Sequence, residues 1–127
     1  MSLQSPLNMV LGLGSAKEGT GHWWAQRLTA VALVPLTLWF AISLLNLDGS
    51  SYAVISSWIA DPLHSILLIL LLISLIYHSI LGLQVVIEDY VHGAARIAAL
   101  VAVQFGHVIL LVAGIYAVVV ISIGAIQ

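Results

Sequence analysis

The sequence predicts an all-α integral membrane protein: three transmembrane helices, N-terminus cytoplasmic, forming one part of a heteromeric helix bundle. Three observations carry this prediction. Only eight of the 127 residues are charged (three Lys or Arg, five Asp or Glu), while 62% are hydrophobic, and the mean hydropathy is +1.18. A soluble chain of that composition would expose aggregating surface on every side. Second, the run from Pro62 to Ile87 contains no Asp, Glu, Lys or Arg. At ~1.5 Å rise per residue it more than covers a hydrocarbon core of about 30 Å. Third, an imidazole, His78, interrupts that run. In hydrocarbon such a group needs a partner, and three helices offer little interior to supply one for every polar residue here.

Taken in order, residues 1–21 read as a cytoplasmic N-terminal arm, and 22–127 as the three-helix membrane domain. The arm has no basic region ahead of an apolar core, so it reads as neither a signal peptide nor an Arg-rich transit peptide. The first helix is expected over about 23–47, kinked at Pro35, which neighbouring helices can tolerate in a membrane. Residues 48–60, with Gly49, several serines, Tyr52 and Trp58, read as an interfacial loop. The second helix is expected over about 62–91. Asp61 can cap its free N–H groups, Pro62 suits the first helical position, and Gly93 is placed to end the segment. The third helix is expected over about 95–126.

Orientation follows from the basic residues. Lys17 and Arg27 precede the core of the first helix and Arg96 lies between the second and third, while the first loop holds Asp48 and Asp61 but no Lys or Arg. The positive-inside rule therefore puts the N-terminus and the Glu88–Arg96 turn inside and the C-terminus outside. A net charge of −2 without a basic cluster argues against nucleic acid. The absence of cysteine excludes disulfides, thiolate metal sites and cysteine nucleophiles within this chain.

His78 and Asp89 are eleven positions apart. At about 100° per residue they share one helix face, roughly 16 Å apart along the axis. From the residues alone, His78 is either a haem ligand or proton-relay group, or a histidine bonded to a neighbouring helix. Gly82, one turn on, leaves room for a flat macrocycle or a close helix. Asp89-Tyr90 reads either as a helix end in the headgroup region or as an acid and a phenol suited to a quinone. Arg27, near the same expected membrane face, can pair with Asp89 or with a haem propionate. His107 is the rival ligand, His64 an interfacial residue, and His22 and His92 solvated boundary residues.

The segment His78-Ser-Ile-Leu-Gly82-Leu-Gln-Val-Val-Ile-Glu-Asp89-Tyr90-Val91 resembles the H-x3-G-x6-D-Y signature of the hydrophobic membrane anchor subunits of succinate dehydrogenase. Gly21-His22-Trp23-Trp24-Ala25-Gln26-Arg27-Leu28-Thr29-Ala30 is similar to the family's first-helix start, with its Arg-x-Thr-Ala element. The resemblance implies a membrane anchor of respiratory complex II, active in the tricarboxylic acid cycle. Its implied partners are a cytochrome b membrane subunit, an iron–sulfur subunit and a flavoprotein subunit. It implies one haem b shared with the cytochrome b chain, and ubiquinone as substrate, with no FAD or iron–sulfur cluster held by this chain. His78 matches the haem iron ligand, Arg27 a basic residue near the quinone and the propionates, Tyr90 the quinone-bonding phenol and Asp89 its neighbouring acid. The dicarboxylate chemistry lies in the partners. The implied location is the bacterial inner membrane, or the mitochondrial inner membrane if the source is eukaryotic. Two alternatives are a haem-free structural membrane subunit and a subunit of a proton-coupled transporter.

Overall fold

The computed structural model describes residues 16–124, and side chains from residue 19 onward. Four helices follow one another: α1 (Ala16–Leu45), α2 (Tyr52–Ala60), α3 (Pro62–Tyr90) and α4 (Ala94–Gly124). Three are long and apolar enough to cross a membrane. These are Gly19–Leu45 within α1, Pro62–Tyr90 and Ala94–Gly124, whose most apolar 18-residue stretches have mean hydropathies of 2.2, 2.6 and 2.5. The chain is a multi-pass, all-α membrane protein.

Local sequence explains the boundaries. Asp61 caps α3, its Oδ1 accepting from the backbone N–H groups of Leu63 at 2.9 Å and His64 at 3.2 Å. Pro62, which has no N–H to leave unpaired, opens the helix. At the far end Val91 N–H donates to Ile87 O at 2.9 Å. The chain then turns at Gly93, whose φ of 67° is a conformation that side-chain-bearing residues rarely adopt. α1 runs through Pro35 as one continuous helix. Beside the proline, Thr37 Oγ1 donates to Leu33 O at 2.6 Å.

Two expectations need correction. The segment 48–60 is not a loop throughout, because residues Tyr52–Ala60 form a helix. Ser51 caps it by accepting from Val54 N–H at 3.4 Å, and the helix packs on α3 and α4. A nine-residue helix is marginal alone, and that cap and packing are what hold it. The second correction is the start of α1, at Ala16 rather than near residue 23. Backbone polar groups entering a bilayer are satisfied most readily within a helix, which overrides the low propensities of Gly19 and Gly21. The rest of the expected arm, 1–15, and the expected end of the last helix, 125–126, lie outside the described residues.

α3 is the central element, packed against α1 on one side and α4 on the other, and the α1 and α4 backbones do not meet. Gly114 of α4 allows close approach to α3: a Cβ there would stand 3.1 Å from Leu72 Cδ1. At the α2 end of the bundle, Trp39 and Phe40 of α1, Trp58 of α2 and His64 of α3 form an aromatic cluster. The Trp39 and Trp58 rings stack at 5.8 Å and those of Trp58 and His64 at 4.8 Å. The protein buries little of itself. Among the described residues the buried hydrophobic ones are Leu71, Leu81, Ile87 and Val118, and no large side chain is fully enclosed. Most of the apolar surface therefore faces lipid or other helices.

Candidate functional site

The polar residues of the α1–α3 interface lie along matched stripes. His22, Gln26 and Thr29 follow spacings of four and three on α1, the positions that share one helix face. Opposite them, α3 presents His78. Its Nδ1 is 3.0 Å from Thr29 Oγ1, and its Nε2 is 3.4 Å from the Gln26 amide nitrogen. The Thr29 hydroxyl also lies 2.8 Å from Ala25 O and 3.0 Å from Gln26 O. One turn along α3, a Cβ built on Gly82 would meet Gln26 Nε2 at 3.6 Å. The Gln26 amide thus lies in the space left between His78 and the glycine. Two atoms of this interface are buried without a hydrogen-bond partner, His22 Nε2 and Gln26 Oε1. Such groups cost free energy in an apolar medium and are uncommon unless a ligand, a water or a rearrangement serves them.

Beyond His22 the interface opens into a cleft of about 380 Å³ lined by Gly19, His22, Gln84, Val85 and Glu88. Gln84 Nε2 donates to Glu88 Oε1 at 2.9 Å, holding the acid along the helix. His22 is therefore half-buried with its Nε2 enclosed, which corrects its reading as a solvated boundary residue. The cause is its register on α1, which turns it toward α3. His92 is exposed, as expected.

Asp89 and Tyr90 end α3 on its exposed side, Tyr90 being 80% exposed. They do not line the cleft; the adjacent Glu88 does. Arg27 is exposed and its guanidinium lies 5.3 Å from the centroid of the Trp23 ring, a cation–π contact. Among the described residues no hydrogen bond or ion pair joins Arg27, Asp89 and Tyr90. They stand on surfaces that a further chain or a ligand can cover.

The rival histidines are engaged elsewhere. His107 Nδ1 donates to Val103 O at 2.8 Å, and its Nε2 lies 3.0 Å from Ser79 Oγ, which can donate to it. Both ring nitrogens are then satisfied, and the residue joins α4 to α3. His64 Nδ1 donates to Trp58 O at 2.9 Å while its ring stacks on the same tryptophan. Among the described residues, no three His, Cys, Asp or Glu side chains converge as a metal cluster.

The residues of this interface and cleft that sequence reasoning did not single out are Gln26, Gln84 and Glu88, and for Thr29 it gave only a place in a motif. A signal was present for Gln26 and Thr29, because their spacing from His22 marks a polar stripe on an otherwise apolar helix. No comparable signal distinguished Glu88 from Asp89.

Comparison with known proteins bears on the chain's family. The family model described as the succinate dehydrogenase/fumarate reductase transmembrane subunit matches residues 1–121. A succinate dehydrogenase hydrophobic membrane anchor subunit of Rickettsia bellii is 39% identical over 106 residues, covering 83% of this chain and 85% of the relative. The subunit of the same description from Paracoccus denitrificans is 36% identical over 123 residues, covering 96% and 95%. A succinate dehydrogenase membrane anchor subunit of Reclinomonas americana is 32% identical over 80 residues, covering 61% and 67%.

Proposed function

The chain belongs to the succinate dehydrogenase/fumarate reductase transmembrane subunit family, as a membrane anchor of that complex, and on this premise we propose that it supplies one axial ligand to a haem b and one wall of a ubiquinone-reducing site. The observation that carries the reading is His78 itself. It is an imidazole within a 29-residue apolar span, with Nδ1 held by Thr29 and Nε2 faced by a single weakly placed amide. His107, by contrast, has both nitrogens committed.

The residues present fit a haem by the chemistry of the donor set. A histidine with an available Nε2 is an ordinary axial ligand. Gln26, whose Oε1 has no partner, leaves no strong bond behind if it turns away. Arg27, exposed near one end of α1 and held only by a ring contact, can pair with a propionate through charge-assisted bonds. His78 would fill one axial position, and a second ligand from another chain fits a haem shared with a cytochrome b subunit. When bound, the haem supplies a one-electron store near the quinone.

For the quinone, Tyr90 and Asp89 do the work in this chain. The Tyr90 hydroxyl donates to a carbonyl oxygen of ubiquinone, and Asp89 holds the charge and proton network around it. Electrons from a peripheral iron–sulfur subunit, itself fed by the flavoprotein that oxidises succinate, reach the membrane at this edge. The reading therefore sets the N-terminus and the α3–α4 turn on the cytoplasmic side of a bacterial inner membrane, or the matrix side of a mitochondrial one. Its partners are the cytochrome b, iron–sulfur and flavoprotein subunits.

The test is an optical and paramagnetic-resonance spectrum of the purified complex. A b-type signal should appear on reduction in the native complex, vanish or become high-spin in His78→Ala, and persist in His107→Ala and His64→Ala. A spectrum unchanged by His78→Ala would remove the assignment. A native complex that reduces quinone without any haem signal would favour the haem-free anchor, a reading to which the Gln26–His78 contact lends support.

A further inference from the structure

We propose that Thr29 is the positioning residue for His78, fixing the ring in the tautomer that carries its proton on Nδ1 and leaves the Nε2 lone pair free for iron; this rests on the reading of His78 as a haem ligand. The hydrogen-bond count favours it. A threonine hydroxyl has one proton to give and can accept from others. Thr29 Oγ1 lies within bonding distance of three groups: Ala25 O at 2.8 Å, Gln26 O at 3.0 Å and His78 Nδ1 at 3.0 Å. The two carbonyl oxygens can only accept, so the hydroxyl proton goes to them, as is usual for threonine within a helix. The contact with His78 is then a hydrogen bond only if Nδ1–H donates to Thr29 Oγ1. Were the hydroxyl to donate to Nδ1 instead, its oxygen would face two carbonyl oxygens at 2.8 and 3.0 Å with no proton between them.

The other side of the ring agrees. The Gln26 amide nitrogen, which can only donate, faces Nε2 at 3.4 Å, and a lone pair is what it can meet there. The two contacts reach His78 from one helix face of α1, on opposite ring nitrogens, and both specify the same tautomer. Histidines that bind a metal usually donate their second N–H to a carbonyl, carboxylate or water, and that bond sets both orientation and basicity. Here the acceptor is a hydroxyl that has already given its proton to the backbone of its own helix. Its position is therefore tied to α1 rather than to a side-chain rotamer alone.

The sign of the effect follows. An N–H···O bond at Nδ1 makes Nε2 a stronger donor and favours ferric iron, so losing the bond should raise the midpoint potential. Thr29→Val keeps the branched shape and removes only the hydroxyl. In the purified complex, Thr29→Val is expected to lose up to about tenfold of the ferric preference, an upward shift of ~59 mV for a one-electron couple. The low-spin resonance should broaden as the ring plane is released. Thr29→Ser, which restores the hydroxyl, should return both toward the native values. A valine complex with the native potential and resonance would overturn the proposal, as would a serine complex displaced as far as the valine one. His78→Ala, run in parallel, separates the two readings: a lost low-spin signal there with an unaltered Thr29→Val removes only the role of Thr29, whereas a retained signal removes the ligand and its positioning together. A second measurement does not depend on the variants assembling. Nitrogen-15 spectra of the full-length chain in lipid, histidine-labelled and haem-free, should show His78, assigned by its absence in His78→Ala, protonated at Nδ1 and bare at Nε2. The opposite tautomer would sink the proposal.

Discussion

Replacing Tyr90 by Phe isolates a single hydroxyl at the proposed quinone site. The ring is 80% exposed, and among the described residues its hydroxyl has no hydrogen-bond partner. Tyr90→Phe therefore removes nothing that holds this chain together, and any effect must come through what covers the end of α3 in the complex. A neutral hydrogen bond is worth about 0.5–1.5 kcal/mol net. At ~1.36 kcal/mol per tenfold, losing one that forms with the quinone should lower quinone reduction roughly twofold to thirteenfold. The loss exceeds that range if the carbonyl is left buried and unpaired, which costs about 1–3 kcal/mol. The assay pairs succinate-driven quinone reduction with succinate oxidation by an artificial acceptor at the flavoprotein, which bypasses the membrane site. The first should fall and the second stay near native. Equal losses in both would mean that the variant fails to assemble, and native rates in both would place the quinone away from Tyr90 and refute the reasoning.

Gly114→Leu should lower the thermal stability of the complex by about 1–3 kcal/mol, because even a Cβ at that position stands 3.1 Å from Leu72 Cδ1. Gly114→Ala, needing only a small shift of that flexible methyl, should be close to neutral, and melting curves of both variants check the difference. Reporter fusions after Gln127 and within residues 48–60 should both read as external. A C-terminal reporter that is cytoplasmic would overturn the orientation drawn from Lys17, Arg27 and Arg96.

How much was legible in advance depended on the range of the interaction. The three spans were readable because a bilayer imposes one long uniform requirement, apolar side chains and internally bonded backbone, that a run such as Pro62 to Ile87 meets by itself. The start of α3 was equally local, since Asp61 and Pro62 act on backbone groups within three residues of themselves. His78 stood out because an imidazole in hydrocarbon needs a partner whatever the fold. The partner's identity was another matter. That Thr29 and Gln26 take the two ring nitrogens, and that Ser79 rather than a metal can satisfy His107, depends on how far α1 and α4 slide and rotate against α3, which residues 49, 52 or 28 positions apart settle jointly. The helix at Tyr52–Ala60 was hidden for a related reason: nine residues are too few to hold a helix without the surfaces of α3 and α4. The cleft makes the same point at the scale of one residue. Glu88 and Asp89 are chemically near-equivalent neighbours, but a step of about 100° around a helix turns one toward His22 and the other away. Composition and spacing thus determine which groups must be served, while the packing of α1 on α3 determines which group serves them.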